Sequence, residues 1–210
     1  MPGDRRRSEA ESEAEREVRR LRIVAGKHRG RTLIAPGGKG LRPTAGVARE
    51  GLFNILIHGR PARAGGQPLV GARVLEAFAG TGAFAFEALS RGAGSAVLID
   101  SDAKALQAAE ANAEALGERD KVTLIKADAT RPPNAAAGET AGIAFLDPPY
   151  GGGLGARALG ALAAKGWLAS GALCIVEVAA GGPFTPPDGF EPIEERRFSA
   201  ARLVFMLWRK

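Results

Sequence analysis

The sequence predicts an α/β fold: a mostly parallel sheet covered by helices on both faces, with an antiparallel strand at its C-terminal end. Three observations point there. From Arg73 onward, short apolar runs alternate with helical stretches, the order that builds parallel sheets. The first run, Val74-Leu75-Glu76-Ala77, passes into a glycine turn, Phe78-Ala79-Gly80-Thr81-Gly82, that opens a helix. The last two apolar runs are separated only by Ser199-Ala200-Ala201, and so short a connection makes an antiparallel hairpin.

Residues 1–20 carry six basic and six acidic side chains and almost no large apolar residue. They bury no face and are expected as a disordered or fraying helical tail. Residues 21–60 read as a basic hairpin followed by a helix, and residues 61–210 as the main domain. In the hairpin, Leu21 and Ile23 alternate with Arg22 and Val24, residues 26–30 turn, and residues 32–34 return. A Gly/Pro loop covers 36–43. Thr44 is an N-cap for a helix over 45–58, with Val47, Leu52, Ile55 and Leu56 on one face and Arg49 and Asn54 elsewhere. Residues 59–72 are a Gly/Pro/Ala connector. Strands are expected near 73–78, 95–100, 121–126, 142–147 and 172–178, then 192–198 and 202–208. Helices are expected near 83–91, 102–117 and 154–165.

Composition narrows the class. A chain of 210 residues with 45% hydrophobic content suits one domain with a small appendage. The one cysteine, Cys174, lies in an apolar run and reads as a buried small hydrophobe. With no Cys/His ligand cluster, neither a structural zinc nor any other metal is expected, and a reducing cytoplasm is the default. No apolar stretch approaches a membrane span, and the charged N-terminus is unlike a secretory signal. The net charge is +6. Residues 21–50 hold Arg22, Lys27, Arg29, Arg31, Lys39, Arg42 and Arg49 against Glu50, so this segment matches the whole chain's excess. Such a one-sided cluster favours phosphate contact over a merely solvated hairpin.

The chemistry centres on Asp147-Pro148-Pro149-Tyr150, which follows the apolar run Gly142-Ile143-Ala144-Phe145-Leu146. Proline disfavours the α conformation for the residue before it, so Asp147 stays extended at the strand end. The prolines lack N–H groups and leave free carbonyls. A carboxylate, a carbonyl and an aromatic ring in one stiff turn suit a flat molecule bearing an amine. The glycine turn lacks the third glycine of a dinucleotide fingerprint, since Phe84 and Ala85 follow Gly82. That argues against a pyrophosphate cradle.

Together the two motifs resemble the class I S-adenosylmethionine (SAM)-dependent methyltransferases, which have a Rossmann-like seven-stranded sheet. Further residues narrow the resemblance. They are Arg22-Ile23-Val24-Ala25-Gly26-Lys27-His28-Arg29-Gly30-Arg31, Leu41-Arg42-Pro43-Thr44, Val47-Ala48-Arg49-Glu50-Gly51-Leu52-Phe53-Asn54 and Glu87-Ala88-Leu89-Ser90-Arg91-Gly92-Ala93. From Leu21 to the C-terminus the chain is similar to the bacterial 16S ribosomal RNA guanine-N2 methyltransferase family. The resemblance implies SAM as methyl donor, no metal, and as partner the 16S rRNA of the small ribosomal subunit or an assembly intermediate. A monomer is expected.

It also implies roles. Ala79, Gly80 and Gly82 would meet the methionine part of SAM, and Glu76 would hold its ammonium or else brace the glycine loop. Asp100, at the tip of the second strand, would take the ribose hydroxyls, with Asp102 left to cap the next helix. Asp128, after the third strand, would take the adenine amine. Asp147, Pro148, Pro149 and Tyr150 would orient the acceptor base for in-line attack on the methyl group. Arg22, Lys27, Arg29, Arg31, Arg42 and Arg49 would hold RNA, with surface ion pairs the competing role for Arg42, Arg49 and Asn54. His28 would contact phosphate, His58 would end a helix, and Trp167 and Trp208 would pack. Other readings remain: N-methylation of adenine in DNA or RNA or of protein glutamine, and a non-catalytic RNA-binding assembly factor. A nicotinamide oxidoreductase is disfavoured by the missing glycine and the terminal hairpin.

Overall fold

The computed structural model describes residues 21–35, 43–59 and 69–210, with side chains of the first helix from Arg49 onward. The charged tail at 1–20, loop residues 36–42 with Lys39 and Arg42, and residues 60–68 of the connector lie outside the described residues.

Among those residues seven strands form one sheet in the order β3-β2-β1-β4-β5-β7-β6. They are β1 (Arg73–Ala77), β2 (Ser95–Asp100), β3 (Val122–Lys126), β4 (Ala141–Leu146), β5 (Leu168–Ala179), β6 (Phe190–Phe198) and β7 (Ala201–Trp208). The first five pair in parallel. β7 runs antiparallel between β5 and β6. The expected architecture therefore stands. The hairpin's second strand, not its first, joins the parallel block.

Alternate residues feed two cores because successive side chains of a strand point to opposite faces. Val74, Ile143, Phe145, Leu173, Ile175, Leu203 and Phe205 enter one core. Leu75, Ala77, Ala144, Leu146, Cys174, Val176, Val204 and Met206 enter the other. Helix α1 (Pro43–His58), α2 (Ala83–Ser90) and α3 (Ala103–Leu116) pack on the first face, with Phe53 and Phe84 stacked at 5.2 Å and Phe84 and Phe145 at 4.8 Å. Helix α4 (Leu154–Ala164) covers the second with Ala158, Leu159 and Leu162.

Several boundaries move for identifiable reasons. α1 begins at Pro43, so Thr44 falls inside its first turn, where a proline is tolerated at the start. A 3-10 turn, Arg119–Lys121, delays β3 to Val122. β5 starts at Leu168, and its register to β4 shifts between Ala141 and Ile143. The hairpin at 21–34 is held by one bridge, Arg22 to Thr32, and by loop bonds such as Ile23 N–H to Arg31 O at 3.0 Å. Leu21, Ile23 and Leu33 are buried with Phe53 and Phe84, so the basic segment shares the first core. Trp167 is buried and donates to Pro133 O at 2.8 Å, while Trp208 packs on Phe190. Burial pushes the Cys174 thiol up to about 12.

Candidate active site

Five parallel strands end along one edge of the sheet, and Glu76, Asp100, Asp128 and Asp147 lie at or just beyond their carboxyl ends. β1 is flanked by β2 on one side and β4 on the other, so the chain order reverses there. A crevice at such a reversal is where open α/β sheets bind ligands. Asp147 sits just past β4, and its N–H points to Ala77 O of β1 at 3.4 Å. The acidic turn and the end of the strand that leads into the glycine turn are thus joined across adjacent strands.

The glycine turn is heavily bonded to its own surroundings. Ala79 N–H donates to Ile99 O, Gly80 N–H to Asp100 Oδ2 at 2.7 Å, and Gly82 N–H to Ala79 O. At Ala79, Gly80 and Gly82 a ligand therefore meets carbonyls and Cα surface. A Cβ added at Gly80 would stand in open space, which leaves that surface accessible. Phe78, just before the turn, has φ 58°, a left-handed conformation that costs a non-glycine residue about 1 kcal/mol or more. No sequence pattern marks it.

Glu76 is buried beneath this turn. Its Oε1 accepts Phe84 N–H at 3.2 Å and its Oε2 accepts Ala85 N–H at 2.9 Å. Both oxygens therefore serve the open N-terminus of α2, the loop-bracing arrangement. Burial raises its pKa to about 8; the two N–H bonds oppose this, the Asp147 charge adds to it and Arg49 opposes it. Asp100 is half-buried, with Oδ1 accepting Asp102 N–H at 2.8 Å. Asp102 caps α3 by accepting Lys104 N–H at 2.8 Å. Asp128 is exposed; backbone and hydroxyl hydrogen bonds from Thr130 lower its pKa.

Beyond Asp147, Pro148 is buried, Pro149 is exposed and Tyr150 is exposed at 40%. Gly151, Gly152 and Gly153 follow with φ of 99°, 66° and 63°. Three successive left-handed residues can only be met by glycine at low cost. This loop borders a hollow of about 180 Å³ that Tyr150, Glu177 and Phe184 also line. The Tyr150 hydroxyl donates to Glu177 Oε1 at 3.0 Å.

The basic segment divides. Arg22 and Arg29 are exposed. Lys27 pairs with Glu118, and His28 Nε2 lies 2.6 Å from the same carboxylate. Burial would raise the Glu118 pKa, yet hydrogen bonds from Lys27, His28 and Lys121 outweigh it and bring it down to about 2. Arg31 donates to Ala115 O near the end of α3 at 2.7 Å. Arg49 turns inward and donates to Arg22 O at 2.8 Å. Burial lowers its pKa while the charges of Glu87 and Glu76 raise it. Asn54 is exposed, and His58 ends α1.

Residues without an assigned role hold this segment in place. Glu87 accepts Val24 N–H at 2.7 Å, Ala25 N–H at 3.0 Å and Arg91 Nε–H at 2.7 Å. Ser90 Oγ accepts His28 N–H and donates to Ala25 O. Asn112 pairs with both backbone groups of Ile34 and donates to Thr81 O in the glycine turn at 3.3 Å. One signal was available: polar residues inside the otherwise apolar α2 and the Ala-rich α3.

A seven-stranded sheet with β7 antiparallel, and an acidic turn beside a glycine turn, together define a methyltransferase of the class I type. A family model described as "Conserved hypothetical protein 95" matches residues 21–207, and the chain belongs to that family. It is similar to the "Ribosomal RNA small subunit methyltransferase D" of Escherichia coli (strain K12), 38% identical over 177 residues, 80% of each chain. The Haemophilus influenzae protein of the same name is 29% identical over 187 residues, 84% of this chain and 88% of that one. A solved Escherichia coli structure, named for a methyltransferase, superposes with a TM-score of 0.73 at 31% identity, covering 90% of this chain and 97% of that one.

Proposed function

We propose that the protein transfers the methyl group of SAM to the exocyclic N2 of a guanine in 16S rRNA of the small ribosomal subunit, in the cytoplasm. The observation that supports this reading is the Asp147 N–H to Ala77 O contact, which sets the acidic turn beside the strand that leads into the glycine turn. The relatives' names, which specify small-subunit rRNA, support the substrate class.

The residues fit a sulfonium donor in outline. The open face at Gly80 would take its methionine part, while Asp100 and Asp128 offer carboxylates for ribose hydroxyls and an adenine amine. Asp147 and the Pro148 carbonyl accept the two hydrogens of the guanine amine. The Tyr150 ring stacks on the base. The amine lone pair is delocalised into the ring, so orienting these hydrogens favours a more tetrahedral nitrogen. Nitrogen then bonds the methyl carbon as the carbon–sulfur bond breaks, leaving the donor a neutral thioether, and the proton that the nitrogen sheds passes to Asp147 or to water. Positioning supplies much of the acceleration. A paired guanine must first leave its stack.

The test is transfer of labelled methyl from SAM to unmodified small subunits, naked 16S rRNA, DNA and bulk protein, followed by nucleoside analysis. N2-methylguanosine in the ribosomal samples is expected; label confined to DNA or protein overturns the substrate. Asp147→Ala is expected to lose transfer by about 100-fold or more and keep SAM affinity. Loss of SAM binding would remove Asp147 from the acceptor side.

A further inference from the structure

We propose that Glu177 makes the site specific for guanine by accepting the N1–H of the acceptor base, with Tyr150 holding its carboxylate in place. This rests on the guanine-N2 reading above. Val176 of β5 lies in register with Leu146, the last residue of β4. The next residue on each strand is acidic: Glu177 on β5 and Asp147 beyond β4. Neighbouring strands run about 4.8 Å apart, so the two acidic residues stand side by side where β4 ends and β5 continues to Ala179. Glu177 is half-buried and lines the same hollow as Pro148, Pro149 and Tyr150. The Tyr150 hydroxyl, 3.0 Å from Glu177 Oε1, ties the carboxylate to the ring assigned to stack on the base.

The chemistry discriminates. Guanine presents N1–H beside its 2-amino group, two donors on one edge. Adenine presents its amine beside a bare N1 acceptor. A turn of Asp-Pro-Pro-Tyr type takes either amine. A second carboxylate beside it welcomes the guanine N1–H and sets lone pair against lone pair with adenine N1. A carboxylate offers about four lone-pair sites, so the Tyr150 bond and a base contact coexist. Glu177 is then a specificity residue and the Tyr150 hydroxyl a positioning group.

The test uses Glu177→Gln, which keeps the side chain's shape, and RNA whose mapped target guanine is replaced by 2-aminopurine. That analogue retains the 2-amino group and lacks N1–H. The wild-type protein is expected to favour guanine over 2-aminopurine by about 10-fold or more in kcat/KM, the size of one lost hydrogen bond to a charged group. Glu177→Gln is expected to shrink that ratio at least as much, because its amide N–H can donate to the bare N1. Tyr150→Phe, which keeps the ring, is expected to lower the ratio in part, and SAM affinity should stay unchanged in both variants. A guanine/2-aminopurine ratio equal to wild type in Glu177→Gln and Tyr150→Phe overturns the assignment and leaves the guanine-N2 reading standing. Absence of N2-methylguanosine with the wild-type protein instead overturns the reading on which the assignment rests.

Discussion

Glu76 braces the glycine turn of the candidate site. It spends both oxygens on Phe84 and Ala85 N–H groups under the glycine turn. Glu76→Ala leaves those buried donors without partners, and each costs roughly 1–3 kcal/mol. Denaturant unfolding at fixed pH is expected to show that loss. The pH dependence has a definite sign. The folded pKa near 8 stands above the usual 4.5, so the folded state favours the protonated acid. That contribution is complete below about 4.5 and is lost as pH rises through 8. Glu76→Gln, neutral throughout, is expected to flatten the stability curve across that window. An unchanged curve would mean Glu76 does not titrate there. The place of the Asp147 turn after β4 was legible because a proline pair after an apolar run is a local pattern. The partner of Tyr150 was not, since Glu177 lies 27 positions away.

At the scale of elements, α2 is the hinge pin between the basic segment and the sheet. All its residues from Phe84 to Ser90 are buried, which a mainly apolar helix of this kind predicts. Glu87 and Ser90 are the exceptions in chemistry, and both grip residues 24–28. Gly26 passes so close that a Cβ there would meet Ser90 O at 1.9 Å. Glu87→Ala removes the acceptor for two backbone N–H groups and the partner of Arg91. Amide exchange across 23–33 is expected to quicken by about 10- to 100-fold, since hydrogen bonds to a charged group contribute roughly 1.5–3 kcal/mol. Exchange at wild-type rates would show that the apolar contacts of Leu21, Ile23 and Leu33 suffice. The hairpin was visible as alternation; its docking was not, because its partners lie 62 and 63 residues away.

Across the whole molecule, the excess charge of +6 corresponds to residues 21–50. The structure spends part of it: Lys27 on Glu118, Arg31 on a helix carbonyl and Arg49 on Arg22 O. Arg29 stands exposed at the turn. Arg29→Ala is therefore expected to reduce the slope of log affinity for RNA against log salt by about 0.7–0.9, the share of one phosphate. An unchanged slope would place the RNA elsewhere. The order of strands and helices, the glycine turn, the acidic turn and the antiparallel ending were readable from the chain, because each is written in neighbouring residues through periodicity, glycine and proline. The placing of β7 between β5 and β6, the inward turn of Arg49, the bonding of the Ala79, Gly80 and Gly82 N–H groups and the meeting of Tyr150 with Glu177 were not. Those depend on which distant groups are packed together, and burial and hydrogen-bond satisfaction across the folded chain select among partners that local sequence leaves equivalent.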